Sequence, residues 1–172
     1  MNFVASATTA VVTLLGVMLG GWLTTRNQKI LWQRDHARQW RDIRLSTYND
    51  FVSAYRQYVA FALDSNANIS ASPHPRKPDE MMPYFDEVGR PYREKLEATI
   101  MAVRLVSARR ETADVAKELV DSARRIAAAR ATKTEQDIPT EFFDKMWQAQ
   151  LKFLISARQE LELSNLWPPS DQ

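Results

Sequence analysis

Few side chains in this sequence are suited to catalysis or metal binding. Its two histidines, His36 and His74, lie outside the Glu-x-x-His and His-Glu-x-x-His spacings that place metal ligands on one helix face. Cysteine is absent, which excludes disulfides, thiolate nucleophiles and cysteine-ligated zinc. Only one of the four glycines follows position 21, so a glycine-rich phosphate loop is excluded there. We therefore predict that the protein is not an enzyme and has no catalytic residue, cofactor or metal site.

The most informative charge pattern is a basic stretch over residues 26–44, which carries six positive and two negative side chains, a net charge of +4. Because the whole chain carries +2, this basic excess is local. Each cation beside an anionic membrane surface contributes about 1 kcal/mol to binding, and the effect decays within a Debye length. The membrane-proximal basic residues are Arg26, Lys29, Arg34, Arg38, Arg41 and Arg44.

The first of these cations are close enough to interact with anionic lipid headgroups, and the later ones could face a partner instead. Rather than specific lipid recognition, we favour the simpler interpretation that the group sets the topology and forms a solvated helix face. Trp32 and Trp40 lie among them and are candidate docking positions for a partner protein. The alternative for these tryptophans is packing within the bundle or between stalks.

A second basic group lies between residues 109 and 133. Arginines on helices can contact nucleic-acid phosphates. Acidic residues such as Glu111 and Glu118 are interspersed with them, so the local charge is nearly balanced. We interpret this group as a solvated helix face with ion pairs, and we predict no nucleic-acid partner.

The most apolar segment covers residues 3–23, where 14 of 21 residues are apolar and none is charged. A helix of this length spans roughly 31 Å, about the hydrocarbon thickness of a bilayer. Positive charges follow the segment and none precedes it, which places the N-terminus outside and residues 26–172 in the cytoplasm. A cleaved signal peptide is the alternative, but no basic region precedes the apolar run. We predict a single-pass protein of the cell inner membrane.

Small residues share one face of this predicted span. Gly16 and Gly20 form a Gly-x-x-x-Gly motif, and Thr9 and Thr13 lie on the same face, within about 60°. Such a strip lets two helix backbones approach closely in lipid. It is the candidate surface for self-association or for pairing with another membrane protein. Gly-x-x-x-Gly by itself is a weak signal, and the simpler interpretation is that Gly and Thr are common in membrane spans.

Helical periodicity dominates the rest of the chain. Apolar residues at steps of three and four predict helices at about 26–63, 91–110, 113–132 and 140–164. Residues 64–83 contain four prolines and are predicted as a loop, either mobile or holding a short helix near 79–82. Short connections favour antiparallel neighbours. The predicted fold is all-α: an N-terminal transmembrane helix that continues into an antiparallel, up-down four-helix bundle.

The last predicted helix carries an apolar face and one charged residue within it. The predicted apolar face consists of Phe143, Trp147, Leu151, Leu154 and Leu161, with Phe142, Met146 and Phe153 beside it. Arg158 shares this face, and a buried arginine needs a partner or must extend its head group to solvent. Glu162, one turn on, is the candidate for a buried ion pair with it. A functional pocket around Arg158 is the alternative.

The chain resembles a loose family of bacterial single-span membrane proteins that have a small cytoplasmic helical domain and no assigned activity. The segments that carry the resemblance are Trp40–Arg44 with Tyr48 and Phe51, Ala102–Val106, and Phe153–Leu161. Members of that family place a glycine soon after the last segment, where this chain has Glu162. The resemblance implies an anchored helical domain and no particular chemistry.

The chain is therefore expected to comprise a membrane anchor (1–25), a basic stalk (26–44) and a bundle (45–167) with its proline-rich loop (64–83). We interpret it as a scaffold, adaptor or self-assembling subunit that acts by protein contacts at the cytoplasmic membrane face. One alternative is a phage- or prophage-type effector that alters membrane permeability through oligomerised spans. A more distant alternative is a ligand-sensing bundle.

Overall fold

A computed structural model describes the backbone of residues 2–163 and the side chains of Gln28, Trp32 and residues 35–163. The chain divides into two compact units, Met1–Asp42 and Ile43–Gln172. The elements in chain order are α1 (Asn2–Leu63), β1 (Ile69–His74), β2 (Lys77–Phe85), α2 (Arg90–Val106), α3 (Arg110–Arg130), a short 3-10 helix (Glu135–Asp137) and α4 (Thr140–Glu160). The prediction of a mainly helical protein with four helices is confirmed.

The predicted membrane span, residues 3–23, lies outside the residues whose side chains are described. Among the residues that are described, no helix has the length and apolar character needed to cross a membrane.

Polar contacts define the directions of the helices in the second unit. Arg44 of α1 donates from Nε to the carbonyl of Val106, 2.9 Å away near the end of α2, whereas Gln57 accepts from Lys95 Nζ at 3.1 Å nearer its start. α1 and α2 are therefore antiparallel. The start of α3 lies beside the end of α4, because the hydroxyls of Thr112 and Ser156 are 2.9 Å apart.

The expectation of a loop or short helix over residues 64–83 is wrong, because β1 and β2 form an antiparallel hairpin. Their pairing runs from Ile69–Phe85 to His74–Lys77, with an irregularity between Pro73 and His74. Proline cannot donate to a ladder, but each strand of a two-stranded sheet has one unpaired edge where it is tolerated. Both strands contact α3, which lets the hairpin bury apolar surface against a helix.

Aromatic rings and alanines fill the core. The ring of Phe153 packs edge-on against Tyr48 and Phe51, with centroid separations of 5.7 and 5.0 Å. On α3 the fully buried face includes Ala116 and Ala123, whose small side chains allow neighbouring backbones to approach closely. Polar atoms are rare in this core, since Thr112, Ser122 and Ser156 are its buried polar residues among those described.

The predicted core face of α4 is wrong in part. Leu161 is buried as expected, but Trp147 and Leu151 are exposed. The face that enters the core is offset around the helix axis and consists of Met146, Ala149, Phe153, Ser156 and Ala157. α4 carries apolar residues on two adjacent faces, and hydrophobic periodicity by itself does not distinguish them.

Candidate functional site

A groove lies between strand β2 and helices α2 and α3, with a cavity volume of about 830 Å³. The buried side chain of Tyr58 from α1 contributes to its wall, as do Met82 of β2 and Phe142 at the start of α4. The hairpin positions this wall because β1 and β2 pack on α3. The groove therefore depends on an element that the sequence predicted as a loop.

Charged side chains surround this groove. Six of its lining residues are basic and four are acidic. The basic residues are Lys77, Arg93, Lys117, Arg124, Arg125 and Lys133, and the acidic residues are Asp79, Glu80, Glu97 and Asp121. The groove thus combines an excess of positive charge with apolar and aromatic surface.

Most of the acidic residues are engaged by basic neighbours. Glu97 Oε1 lies 3.4 Å from Arg124 Nη2, and Asp121 Oδ2 lies 2.5 Å from Lys117 Nζ. Glu80 accepts from Lys77 Nζ at 3.1 Å, and this hydrogen bond is the main reason that the pKa of the Glu80 carboxyl is lowered. Burial raises the pKa of the Tyr58 phenol, so Tyr58 keeps its proton.

Two cations of the groove have no acidic partner among the residues that the structure describes, and one nitrogen atom there has no hydrogen-bond acceptor. Among the described side chains, no carboxylate lies within ion-pair distance of Arg125 or Lys133. The buried Arg93 Nε has no hydrogen-bond acceptor in the described part of the structure, although Glu97 Oε1 lies 4.0 Å away, at the limit of ion-pair distance. Arg125 and Lys133 could therefore receive an anion without first breaking an internal ion pair.

A second candidate surface is the exposed apolar stripe of α4. Trp147, Leu151 and Ile155 are 60%, 44% and 42% exposed, and their four-residue spacing places them along one face. Large side chains in contiguous exposed positions are typical of interaction sites. We refer to these three residues as the α4 stripe.

A third surface lies on the part of α1 that belongs to the first unit. Trp32 and Trp40 are 66% and 40% exposed, and His36 lies between them at four-residue spacing. The His36 ring stacks on Trp32 with centroids 5.2 Å apart, and His36 Nε2 accepts from Trp40 Nε1 at 3.0 Å. The regular spacing of 32, 36 and 40 is the sequence feature that could have identified this cluster.

A buried polar cluster joins three segments of the bundle. The Glu160 side chain is 2% exposed, and its Oε1 accepts from the Ala108 backbone nitrogen at 2.6 Å. Arg44 Nε lies 3.4 Å from the same oxygen. The hydroxyls of Tyr48 and Ser107 lie 3.1 Å apart, and burial is the main reason that the pKa of Tyr48 is raised to about 12.

The other predicted site residues are distributed as follows. Arg38 and Arg41 are exposed, whereas Arg44 packs into the bundle rather than facing outward with them. The side chains of the remaining predicted span-packing and basic residues lie outside the described residues: Thr9, Thr13, Gly16, Gly20, Arg26, Lys29 and Arg34. Arg158 is half-buried and Glu162 is exposed at a φ of 56°, so their pairing stays a prediction.

In the part of the chain that the structure describes, no three His, Asp or Glu side chains are placed to hold a metal ion. The sequence analysis missed the groove because its walls come from elements far apart in the chain. The chain matches no protein-family model, and no curated protein or solved structure was found to be similar to it. The resemblance to bacterial single-span proteins therefore stays a prediction.

Proposed function

We propose that this protein is a membrane-anchored helical subunit that assembles with further copies of itself and acts by contacts at the cytoplasmic membrane face. The observation that carries this proposal is the α4 stripe, an apolar surface exposed on a helix whose other face already fills the core. A monomer gains nothing from exposing such a surface, whereas an assembly buries it.

We infer that a second copy of the chain covers the α4 stripe, because weak contacts between spans and weak contacts between bundles would act together. The small-residue strip of Thr9, Thr13, Gly16 and Gly20 would pair the spans, as its composition predicts. Copies held in one bilayer raise the effective concentration of each bundle for its neighbour. A stripe of three side chains then needs little affinity of its own.

The charge pattern supports a location at the cytoplasmic face. Arg38 and Arg41 are exposed, and the basic excess of residues 26–44 follows directly after the apolar segment. Positive charges after a first span favour retention on the cytoplasmic side. They would also draw the start of the stalk toward anionic headgroups. Resistance of the full chain to extraction by alkaline carbonate tests the anchor, and extraction would contradict it.

The oligomeric state of the full chain in nanodiscs tests the assembly. We expect the wild type to form oligomers in sedimentation velocity and Leu151→Lys to reduce their mass, because a charge would enter the shared apolar surface. Leu105→Lys is the matched control, since Leu105 is 81% exposed and belongs to α2 rather than to the stripe. A monomeric wild type, or an unchanged distribution for Leu151→Lys, would contradict self-assembly through the stripe.

A membrane-permeabilising effector is the second candidate, and the same small-residue strip is the feature that favours it. The double variant Gly16→Leu/Gly20→Leu would weaken span pairing whether the protein is an effector or an assembling subunit. Release of a trapped dye from vesicles by the wild type, lost in this variant, would support the effector. Oligomers without dye release would support the subunit role.

A further inference from the structure

We propose that the groove between β2 and α3 binds a small organic phosphate, one that joins a phosphate group to an apolar or aromatic body. The groove is a different surface from the α4 stripe, and binding there does not require self-assembly. The cavity of about 830 Å³ lies in the size range of sites for drug-sized ligands.

The basic side chains of the groove favour an anion. Arg125 and Lys133 line it without a carboxylate at ion-pair distance among the described side chains. Arg93 Nε is buried without a hydrogen-bond acceptor in the described part of the chain, 4.0 Å from Glu97 Oε1. A bound phosphate would supply acceptor oxygens to those of these side chains that it reaches. Arginine is suited to phosphate because its planar guanidinium donates two parallel hydrogen bonds.

The acidic residues of the groove do not cancel this preference. Glu97 and Asp121 are already engaged by Arg124 and Lys117, and Glu80 is engaged by Lys77. These ion pairs hold their own cations in place around the cavity. They leave the remaining positive charge at Arg125 and Lys133.

The apolar and aromatic residues of the groove favour an apolar body on the ligand. Met82, Pro83 and Phe142 line it beside the buried Tyr58. Met81 and Tyr84, also in the lining, are each nearly half-exposed, so an apolar group bound there would remove their surface from water. A bare phosphate ion would use only the charged side chains and would bind more weakly.

Calorimetric titration of the full chain in nonionic detergent tests this inference with three probes. Phenyl phosphate represents a soluble ligand, dihexanoyl phosphatidic acid represents a lipid headgroup, and inorganic phosphate lacks the apolar body. We expect at least one organic probe to bind about tenfold more tightly than inorganic phosphate. The tighter of the two organic probes identifies whether the ligand is soluble or lipid-derived.

Variants locate the site. We expect Arg125→Gln and Lys133→Gln each to weaken binding of the organic probe about tenfold, the usual loss for one charge-assisted hydrogen bond. Arg104→Gln is the matched control, because Arg104 is an exposed arginine outside the groove. Arg125 and Lys133 are both exposed, so neither variant should impair folding. Near-ultraviolet circular dichroism of each variant checks this.

A second readout does not depend on the variants. In a sample with labelled methionine methyl groups, the organic probe should shift the signals of Met81 and Met82, two of the six methionines. The proposal is overturned if no probe binds at millimolar concentration. It is equally overturned if Arg104→Gln weakens binding as much as Arg125→Gln, or if the shifts fall on other methionines.

Discussion

Arg44 Nε lies 3.4 Å from Glu160 Oε1, which joins the last turn of α4 to α1. The same Arg44 nitrogen donates to the Val106 carbonyl, and the same Glu160 oxygen accepts from the Ala108 nitrogen. The two side chains therefore fix the end of α2 and the connection between α2 and α3 to helices α1 and α4. Arg44, grouped with the stalk by its sequence position, acts as a structural residue of the bundle.

Breaking this pair should destabilise the bundle. Arg44→Met removes the cation beside a buried carboxylate, and we expect a loss of about 2 kcal/mol in the free energy of unfolding, less than a fully buried pair would cost because Arg44 is partly exposed. In a Glu160→Gln background the same change should cost about 1 kcal/mol less, because no charge is left unpaired. Urea titration followed by near-ultraviolet circular dichroism measures both.

The control for this pair is Arg110→Met, because Arg110 is 93% exposed and forms only a surface ion pair with Asp114. It should change the unfolding free energy by no more than about 0.5 kcal/mol. Equal losses for Arg44→Met and Arg110→Met would show that the buried pair contributes nothing special.

Gly89 should not tolerate a side chain. A Cβ atom there would lie 2.5 Å from Phe61 Cε1 and 2.8 Å from Phe85 Cβ, although the backbone conformation is an ordinary helical one. Gly89→Ala should therefore cost about 1–3 kcal/mol through overpacking where the hairpin meets α2. Val88→Ala, at an exposed neighbouring position, is the control, and thermal unfolding of both variants decides whether the contact matters.

The buried hydroxyl pair of Thr112 and Ser156 should behave as a coupled unit. Thr112→Val or Ser156→Ala leaves one hydroxyl without its partner 2.9 Å away, and we expect each to cost about 1–2 kcal/mol. The double variant leaves no unpaired hydroxyl and should cost less than the two single losses together. Additive losses in denaturant titrations would indicate that the hydrogen bond is not formed.

Stability should fall at high pH because of buried tyrosines. Burial raises the pKa of both Tyr48 and Tyr55 from 10.0 to about 12, so the folded state holds the phenol proton more tightly than the unfolded state. This stabilisation is complete below pH 10 and is lost as the pH rises towards 12, at most about 2.7 kcal/mol for each tyrosine. Denaturant titrations at pH 9 and pH 11.5 measure the loss.

Tyr55→Phe isolates one of these residues, since it removes the ionisable group and should flatten the decline above pH 10. Tyr84→Phe, at an exposed position of β2, serves as the control and should leave the decline as in the wild type. A Tyr55→Phe protein with the full wild-type decline would show that Tyr55 does not contribute.

The helices were predictable from the sequence because helix formation is local. Apolar residues at steps of three and four and the placement of Pro91 near a helix start are properties of neighbouring residues. The predicted starts and ends of α2, α3 and α4 lie within four residues of the observed ones. The hairpin was missed because its strands are rich in proline and are supported by contacts with α3 rather than by their own pattern.

By itself, the sequence determined the helical content of this protein, the apolar segment at its start and the basic stretch that follows it. Only the tertiary structure decided which face of α4 is buried, that Glu160 rather than a neighbouring acid pairs with Arg44, and that β2 and α3 enclose a groove. The physical reason is that a helix's periodicity is fixed by its own residues, whereas burial and ion pairing depend on which distant segments pack against it.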